Sequence, residues 1–183
     1  MSPLELPEGL FYEPEFLSEE EQADLVAELE GLEFEEVRMR GQTARRTVRH
    51  FGVDYEYEGG RITPGEPLPA SLEWLRERSA ALAGLDADDL AQTLVSRYPP
   101  HAGIGWHRDA PMFGSKIVGV SLLSESRLRL RPRKGVAGET VALELEPRSA
   151  YVLGGPARSE WEHSISPTKA LRYSLTFRPL KRS

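Results

Sequence analysis

Cysteine is missing altogether from this chain of 183 residues, which excludes disulfides and thiolate metal ligands. No apolar run reaches the roughly 20 residues that a membrane-spanning helix needs, and no basic start followed by an apolar stretch marks a secretory signal. These absences favour a cytoplasmic protein without membrane attachment. The chain is 39% hydrophobic and 28% charged, and its length predicts one globular domain over residues 1–183, with a monomer as the default state.

Positive charge is missing from the start of the chain, because residues 1–36 hold thirteen acidic residues and no basic one. Residues 37–53 reverse this, with five arginines and no acid. The net charge of −6 argues against a nucleic-acid partner. A local basic surface nevertheless attracts phosphates whatever the total charge, and a solvated basic face is the alternative.

Two helices are predicted in the first half of the chain. Ser18 and Glu21 have the spacing of a capping box for the first helix, and Gly31 fits its end. Ser71 is predicted to cap the second helix, over residues 72–83, which a glycine closes. The other segments predicted here are strands at 34–40 and 46–57 and a Gly- and Pro-rich loop at 58–70.

From Leu90 onward the pattern changes to short apolar segments separated by turns. The predicted strands are 92–98, 104–109, 116–123, 126–132, 140–146, 149–153, 161–165 and 170–179. Short strands after two helices predict a jelly roll buttressed by helices. The expected class is α+β, mostly β, with the helices within residues 1–90 and the jelly-roll core in residues 91–183.

Three residues have the chemistry of a metal site. His107 and Asp109 are two residues apart in GIGWHRDAP, and residues two apart on an extended strand point to the same side. His163, in WEHSI, can complete a set of two histidines and one carboxylate. This set, with open positions, is the ligand signature of non-haem Fe(II) oxygenases. A core histidine bonded to the main chain is the alternative for His163.

The segment RYSLTFR, residues 172–178, alternates strictly between polar and apolar side chains. Arg172, Ser174, Thr176 and Arg178 share one face. A guanidinium fork binds a carboxylate through two hydrogen bonds and stays charged when partly buried. Two such groups on one strand can hold the opposite ends of a dicarboxylate, whereas a solvent-facing polar strand is the alternative.

Together these segments resemble the AlkB family of Fe(II)- and 2-oxoglutarate-dependent dioxygenases, which oxidatively demethylate nucleic acids. The specific resemblance covers residues 94–180. It implies the double-stranded β-helix form of the jelly roll, with Fe(II) as metal and with 2-oxoglutarate and O2 filling its open positions. It also implies the residues that contact 2-oxoglutarate: Ser96, Tyr98, Arg172, Ser174 and Arg178.

This chain departs from the family's pattern at several positions. Ser96 and Ser174 stand where many members have Asn, which shortens the reach toward the cosubstrate. Pro111 stands where some repair members have a carboxylate that faces the damaged base. Residues 46–52, RTVRHFG, resemble the substrate-facing region more loosely, and residues 1–90 are expected to include this substrate lid. The lid candidates are Arg45, Arg46, Arg49 and His50.

Two further features lie on predicted strands. Trp106 lies on the strand face opposite the ligands and is predicted to be core or support. Four arginines alternate along one strand and present a row of charge that can follow a phosphate backbone. These arginines are Arg127, Arg129, Arg131 and Arg133. The alternative is an exposed sheet face balanced by the acidic first helix.

The predicted function is oxidative demethylation of alkylated DNA or RNA bases, with methylated nucleic acid as the partner. Pro111 and the net negative charge favour a second hypothesis, the same chemistry on a protein side chain or small molecule. A zinc hydrolase also uses three protein ligands and a water, but it leaves Arg172 and Arg178 without a role. A jelly-roll binding module without turnover is the last alternative.

Overall fold

The computed structural model describes residues 5–39, 41–55 and 61–181. Its helices are α1 (Glu19–Glu30), α2 (Glu73–Ala83) and α3 (Gly155–Ser159). Its strands are β1 (Leu10–Glu13), β2 (Glu35–Met39), β3 (Gln42–Phe51), β4 (Val53–Tyr55), β5 (Ile62–Pro64), β6 (Gln92–Tyr98), β7 (Ile104–His107), β8 (Ile117–Leu122), β9 (Ser126–Pro132), β10 (Val141–Leu145), β11 (Ala150–Leu153), β12 (Trp161–Ile165) and β13 (Arg172–Arg178). Within the described ranges, no helix is long and apolar enough to cross a membrane.

Two antiparallel sheets face each other. The larger has the strand order β1-β11-β8-β13-β6-β3-β2, and the smaller has the order β10-β9-β12-β7. Strands β6 to β13 are the eight strands that the sequence predicts, and four of them lie in each sheet. The predicted fold class, a mostly β double-stranded β-helix with helical buttressing, is confirmed.

Alternation along β13 determines which residues reach each side of the large sheet. Tyr173, Leu175 and Phe177 are buried in a hydrophobic core with residues of α1 and α2, which cover the outer face. The intervening residues, Arg172 to Arg178 in steps of two, therefore point to the inner face, between the sheets. Strand β8 follows the same rule, because Val118 and Val120 belong to the helix-side core.

A second core joins the two sheets. Leu128, Leu130 and Ile165 of the small sheet belong to one buried cluster with Ile117 and Leu153 of the large sheet. Apolar packing fills only part of the space between the sheets. Polar and charged side chains from β6, β8 and β13 occupy the rest, and the candidate site is built there.

The first helix begins with the predicted cap, whereas the second helix does not. Ser18 and Glu21 make both hydrogen bonds of the capping box on α1. Ser71 instead lies in a 3₁₀ turn, its hydroxyl donates to the Glu28 carboxylate, and Leu72 takes the cap position of α2. Gly84 ends α2 in the left-handed conformation, with φ of 70°.

Residues 1–90 contribute strands as well as helices. β1 pairs with β11, and β3 pairs with β6, so both edges of the large sheet come from this part of the chain. The prediction that 58–70 is all loop is wrong for Ile62–Pro64, which forms β5 and pairs with β4. Arg40 and residues 56–60, where a predicted strand ends and this loop begins, lie outside the described residues.

Candidate functional site

A β-bulge in β7 aims His107 at the space between the sheets. His107 is paired with His163 and Ile104 with Ile165, so three steps on β7 match two steps on β12. The extra residue puts Ile104 and His107 on the same face, although strict alternation would separate them. The strand ends at His107, so Asp109 follows it in a loop and is not on the predicted strand 104–109.

The three predicted metal ligands lie together. The ring centroids of His107 and His163 are 4.3 Å apart, and Nε2 of His163 lies 3.4 Å from Oδ2 of Asp109. Nδ1 of His107 lies 2.8 Å from the carbonyl oxygen of Gly105. With its hydrogen on Nδ1, this ring is held by the main chain and leaves Nε2 as the nitrogen for a metal.

These three side chains have the protonation states that a bound metal cation requires. Burial lowers the pKa of His107 and lowers that of His163 to about 4, so both rings are neutral near pH 7. Burial, the largest single cause, would raise the pKa of Asp109, but the neighbouring groups, Arg178 first and then His163, His107 and Arg158, together outweigh it, and the pKa falls to about 2. Two neutral imidazoles and an ionised carboxylate are the forms that bind a metal.

The donor set fits Fe(II) in its chemistry. In the described part of the chain, however, no three His, Asp or Glu side chains already surround a common point as metal ligands. Asp109 directs one oxygen to His163 and the other to Nε of Arg178, 3.2 Å away. Metal binding therefore requires at least one of these oxygens to turn from its present partner to the ion.

Arg172 is the side chain whose surroundings most clearly call for an anion. It is 2% exposed, its guanidinium lies 4.8 Å over the ring of Tyr98, and it donates one hydrogen bond to Ser121 Oγ. Nε and Nη1 have no hydrogen-bond partner. A buried cation with unused donors is costly, and an anion that accepts hydrogen bonds from them lowers this cost.

One cavity of about 540 Å³ joins the metal and arginine groups. Its lining contains every residue that the sequence predicts for the metal and for 2-oxoglutarate: Ser96, Tyr98, His107, Asp109, His163, Arg172, Ser174 and Arg178. Volumes of this size are typical of sites for small ligands and cofactors. The structure thus brings together residues that are up to 82 positions apart in the chain.

Two residues that the sequence reasoning missed also belong to this region. Tyr151 lines the cavity from β11. Arg158 of α3 donates from Nη1 to the carbonyl oxygen of Asp109 and from Nη2 to that of Ala110, both at 3.0 Å. It also donates to the main chain of Phe113 and Gly114 at 3.3 Å. Arg158 thereby fastens the loop that carries the Asp109 carboxylate.

The four predicted lid residues are separated by the alternation of β3. Val48 is paired with Ser96, and His50 with Leu94, so Arg46 shares the inner face with them and lines the cavity. Arg45 is exposed on the opposite face.

The other two lid candidates are bound to structural partners. Arg49, also on the outer face, pairs with Glu66 at 2.6 Å and lies over the ring of Phe51 at 5.2 Å. His50 lies within 3.2 Å of the Gln92 amide and 3.8 Å of the Asp54 carboxylate. Of the four candidates, Arg46 alone lines the cavity.

The arginine row on β9 is balanced by carboxylates of neighbouring strands and not by the acidic first helix. Arg127 pairs with Glu144 of β10 at 2.6 Å, and Arg131 with Glu162 of β12 at 2.8 Å. Arg129 lies over the ring of Trp106 at 4.8 Å. Trp106 is half-buried on this outer surface and borders the cavity, so it is a support for the arginines and not core.

The matching family model is the 2OG-Fe(II) oxygenase superfamily, over residues 9–178, and the chain belongs to this family. Within it the chain is AlkB-like. It is 35% identical over 162 residues to alpha-ketoglutarate-dependent dioxygenase alkB homolog 7, mitochondrial, of Bos taurus, covering 87% of this chain and 68% of that protein. The family uses Fe(II) and 2-oxoglutarate, so the predicted enzyme class and cofactors are confirmed.

A second relative is tRNA (carboxymethyluridine(34)-5-O)-methyltransferase ALKBH8 of Macaca fascicularis, 30% identical over 180 residues. The match covers 92% of this chain but 26% of that protein, so the chain spans about a quarter of its length. The solved structure of OsALKBH1 has a TM-score of 0.71 at 18% identity and covers 97% of this chain and 100% of that one, which shows the fold. The cytoplasmic location stays a prediction.

Proposed function

We propose that this dioxygenase binds Fe(II) through His107, Asp109 and His163, binds 2-oxoglutarate through Arg172 and Arg178, and demethylates alkylated nucleic-acid bases. The buried guanidinium of Arg172 is the observation that carries this proposal. Two of its donors, Nε and Nη1, have no hydrogen-bond partner, and the residue lines the cavity that the three metal-ligand candidates also line. A dicarboxylate beside the metal removes the cost of burying that charge.

Bound iron and 2-oxoglutarate would together supply hydroxylation of a C–H bond by dioxygen, coupled to formation of succinate and CO2. The chain's own residues then have separate tasks. Arg172, with Tyr98 beneath it, and Arg178 hold and orient the cosubstrate. Ile104 and Ile165 give the cavity an apolar wall that helps to exclude water near the metal. Hydroxylation of an N-methyl group gives a hydroxymethyl amine, which loses formaldehyde.

A nucleic-acid substrate is supported by the surroundings of the cavity. Arg46 is 5% exposed, its Nε has no hydrogen-bond partner, and it lines the cavity on the side of β3. Trp106 and the exposed Arg108 border the same cavity. An aromatic ring beside guanidinium groups suits an unstacked base and its phosphate. A base in a duplex must leave the stack before its alkyl group can reach the metal.

The same chemistry on a protein side chain or small molecule is the second candidate. Pro111 lines the cavity and provides no carboxylate to read a base edge. Several of the arginines predicted to meet phosphate are already paired with carboxylates, namely Arg49, Arg127 and Arg131. Paired cations attract phosphate less than free ones.

A panel of methylated DNA and RNA oligonucleotides distinguishes the two candidates. The enzyme is incubated with Fe(II), 2-oxoglutarate and air, and succinate and formaldehyde are both measured. Unmethylated oligonucleotides of the same sequence are the control. Nucleic-acid demethylation predicts that at least one methylated strand yields formaldehyde and raises succinate above the amount formed with the unmethylated control by an equal quantity. Succinate formation that no methylated strand stimulates would contradict the nucleic-acid substrate while leaving the dioxygenase chemistry intact.

A further inference from the structure

Trp106 and the arginines of β9 meet on the outer face of the small sheet. Leu128 and Leu130 are buried between the two sheets, so alternation puts the arginines of β9 on the opposite, outer face. Arg129 and Arg131 both lie over the Trp106 ring, at 4.8 and 4.3 Å from its centroid. Because β12 runs between β7 and β9, the side chain of Trp106 crosses β12 to reach them.

Arg129 differs from the arginines on either side of it in having no partner of opposite charge. Arg127 and Arg131 each form an ion pair with a glutamate of a neighbouring strand. The cross-strand partners of Arg129 are instead Ala142 and Ser164, and neither carries a charge. Within the described ranges, no carboxylate pairs with Arg129, so its charge is available to a ligand.

The contact with Trp106 leaves the hydrogen-bonding groups of Arg129 available as well. A guanidinium stacks on a ring through its flat face, whereas its N–H donors lie in its plane. Arg129 is exposed to solvent. A side chain already held on a ring loses less conformational freedom when it binds an anion than a free side chain does.

The same tryptophan joins this outer face to the cavity. Trp106 borders the cavity, and the exposed Arg108 lines it two residues further on. Two strand spacings, about 10 Å, separate β7 from β9. A stacked single strand has one phosphate per ~3.4 Å. A strand that leaves the cavity over Trp106 therefore reaches Arg129 within about three nucleotides.

We propose that the strand flanking the target base leaves the cavity over Trp106 and crosses the outer face of the small sheet, where Arg129 binds one of its phosphates. This inference rests on the proposed nucleic-acid substrate and adds to it the path of the flanking strand. A phosphate suits this position, because its oxygens accept two hydrogen bonds from the guanidinium fork and supply the missing negative charge.

The test measures binding of two labelled DNA single strands, each with one N-methylated adenine in the middle, by fluorescence anisotropy. The protein is loaded with Mn(II) and 2-oxoglutarate, and salt is varied. The affinity of the wild type for a ten-nucleotide strand should fall with salt, with a log-log slope of roughly 0.7 per phosphate contact. Arg129→Ala should lower that slope by about 0.7 and weaken binding roughly tenfold at low salt. Arg129→Lys keeps the charge and should restore most of the slope.

The second strand is a trinucleotide, which fills the cavity but ends before Arg129, so Arg129→Ala should bind it like the wild type. Arg45→Ala is the matched control, because it removes the same charge from an exposed arginine of the large sheet. It should change neither the slope nor the affinity. Equal effects of Arg129→Ala and Arg45→Ala, or equal losses on the two strands, overturn this inference alone. A wild type without salt-dependent binding of the longer strand overturns the proposed nucleic-acid substrate itself.

Discussion

Arg178 and Asp109 form an ion pair inside the candidate site, with Nε of the guanidinium 3.2 Å from Oδ1 of the carboxylate. Both side chains are less than a tenth exposed, so water screens the pair weakly. The pair links the strand proposed to hold the cosubstrate to a proposed metal ligand. It also keeps the pKa of Asp109 low, so the carboxylate is ionised before a metal arrives.

Removal of either cavity arginine should weaken 2-oxoglutarate binding more than metal binding. Arg178→Ala and Arg172→Ala each leave a buried carboxylate without its charged partner, which costs several kcal/mol, or roughly a hundredfold or more in affinity. Lysine at either position should restore only part of the loss, because it lacks the planar fork.

Titration with 2-oxoglutarate in the absence of oxygen checks this prediction. Arg97→Ala is the control, because Arg97 lies on β6 but outside the cavity lining. If Arg178→Ala binds 2-oxoglutarate as tightly as the wild type, Arg178 is not part of the cosubstrate site. Its role is then limited to the ion pair with Asp109.

Arg158→Ala should loosen the loop that carries Asp109. Four main-chain carbonyl groups between Asp109 and Gly114 lose a charged donor, so the free energy of unfolding is expected to fall by about 2 kcal/mol. Mn(II) affinity should fall as well, because the carboxylate is no longer held beside the histidines, and Arg158→Lys should recover part of both.

Arg133→Ala is the matched control for Arg158. Among the described residues, the Arg133 side chain makes one hydrogen bond, to the carbonyl oxygen of Ser159 at the end of α3, so its replacement should cost less than about 0.5 kcal/mol. Chemical denaturation and Mn(II) titration measure the two effects. A less stable Arg158→Ala that binds Mn(II) as tightly as the wild type would show that the clamp does not position the ligand.

Arg46 and Arg45 are neighbours in the chain, but we expect only the substitution of Arg46 to lower substrate turnover. Arg46→Ala removes an inner-face cation from the cavity and should lower kcat/KM for a methylated oligonucleotide about tenfold or more, the cost of a lost hydrogen bond to a charged group. Arg45→Ala, on the exposed outer face, should stay within about twofold. Equal effects of the two substitutions would contradict the assignment of Arg46 to the substrate side.

The jelly roll was predictable because each of its strands is a short apolar or alternating segment bounded by turn residues. The predicted bounds of β6, β9 and β12 agree with the structure to the residue. β1 and β5 have only four and three residues, too few for a period to be recognised. Both depend on pairing with another strand, which a local pattern does not reveal.

The site was partly predictable for a similar reason. Residue type and spacing alone indicate the His-x-Asp pair, His163 and the two arginines as site residues. The positions of Tyr151 and Arg158 depend on pairings and hydrogen bonds to residues more than 30 positions away, Gly119 and the loop after Asp109. One available signal was missed: alternation within the predicted strand at 46–57 already places Arg49 on the face opposite Arg46.

Conversion of 2-oxoglutarate to succinate tests the central claim most directly, with wild type compared with His107→Ala, Asp109→Ala and His163→Ala at limiting iron. The account predicts succinate from the wild type only when Fe(II), 2-oxoglutarate and O2 are all present. Each variant should keep a wild-type circular dichroism spectrum and lose this turnover, because each removes one of three ligands. Near-normal turnover in any variant would contradict that ligand assignment, and wild-type succinate formation without added iron after chelation would contradict the site as a whole.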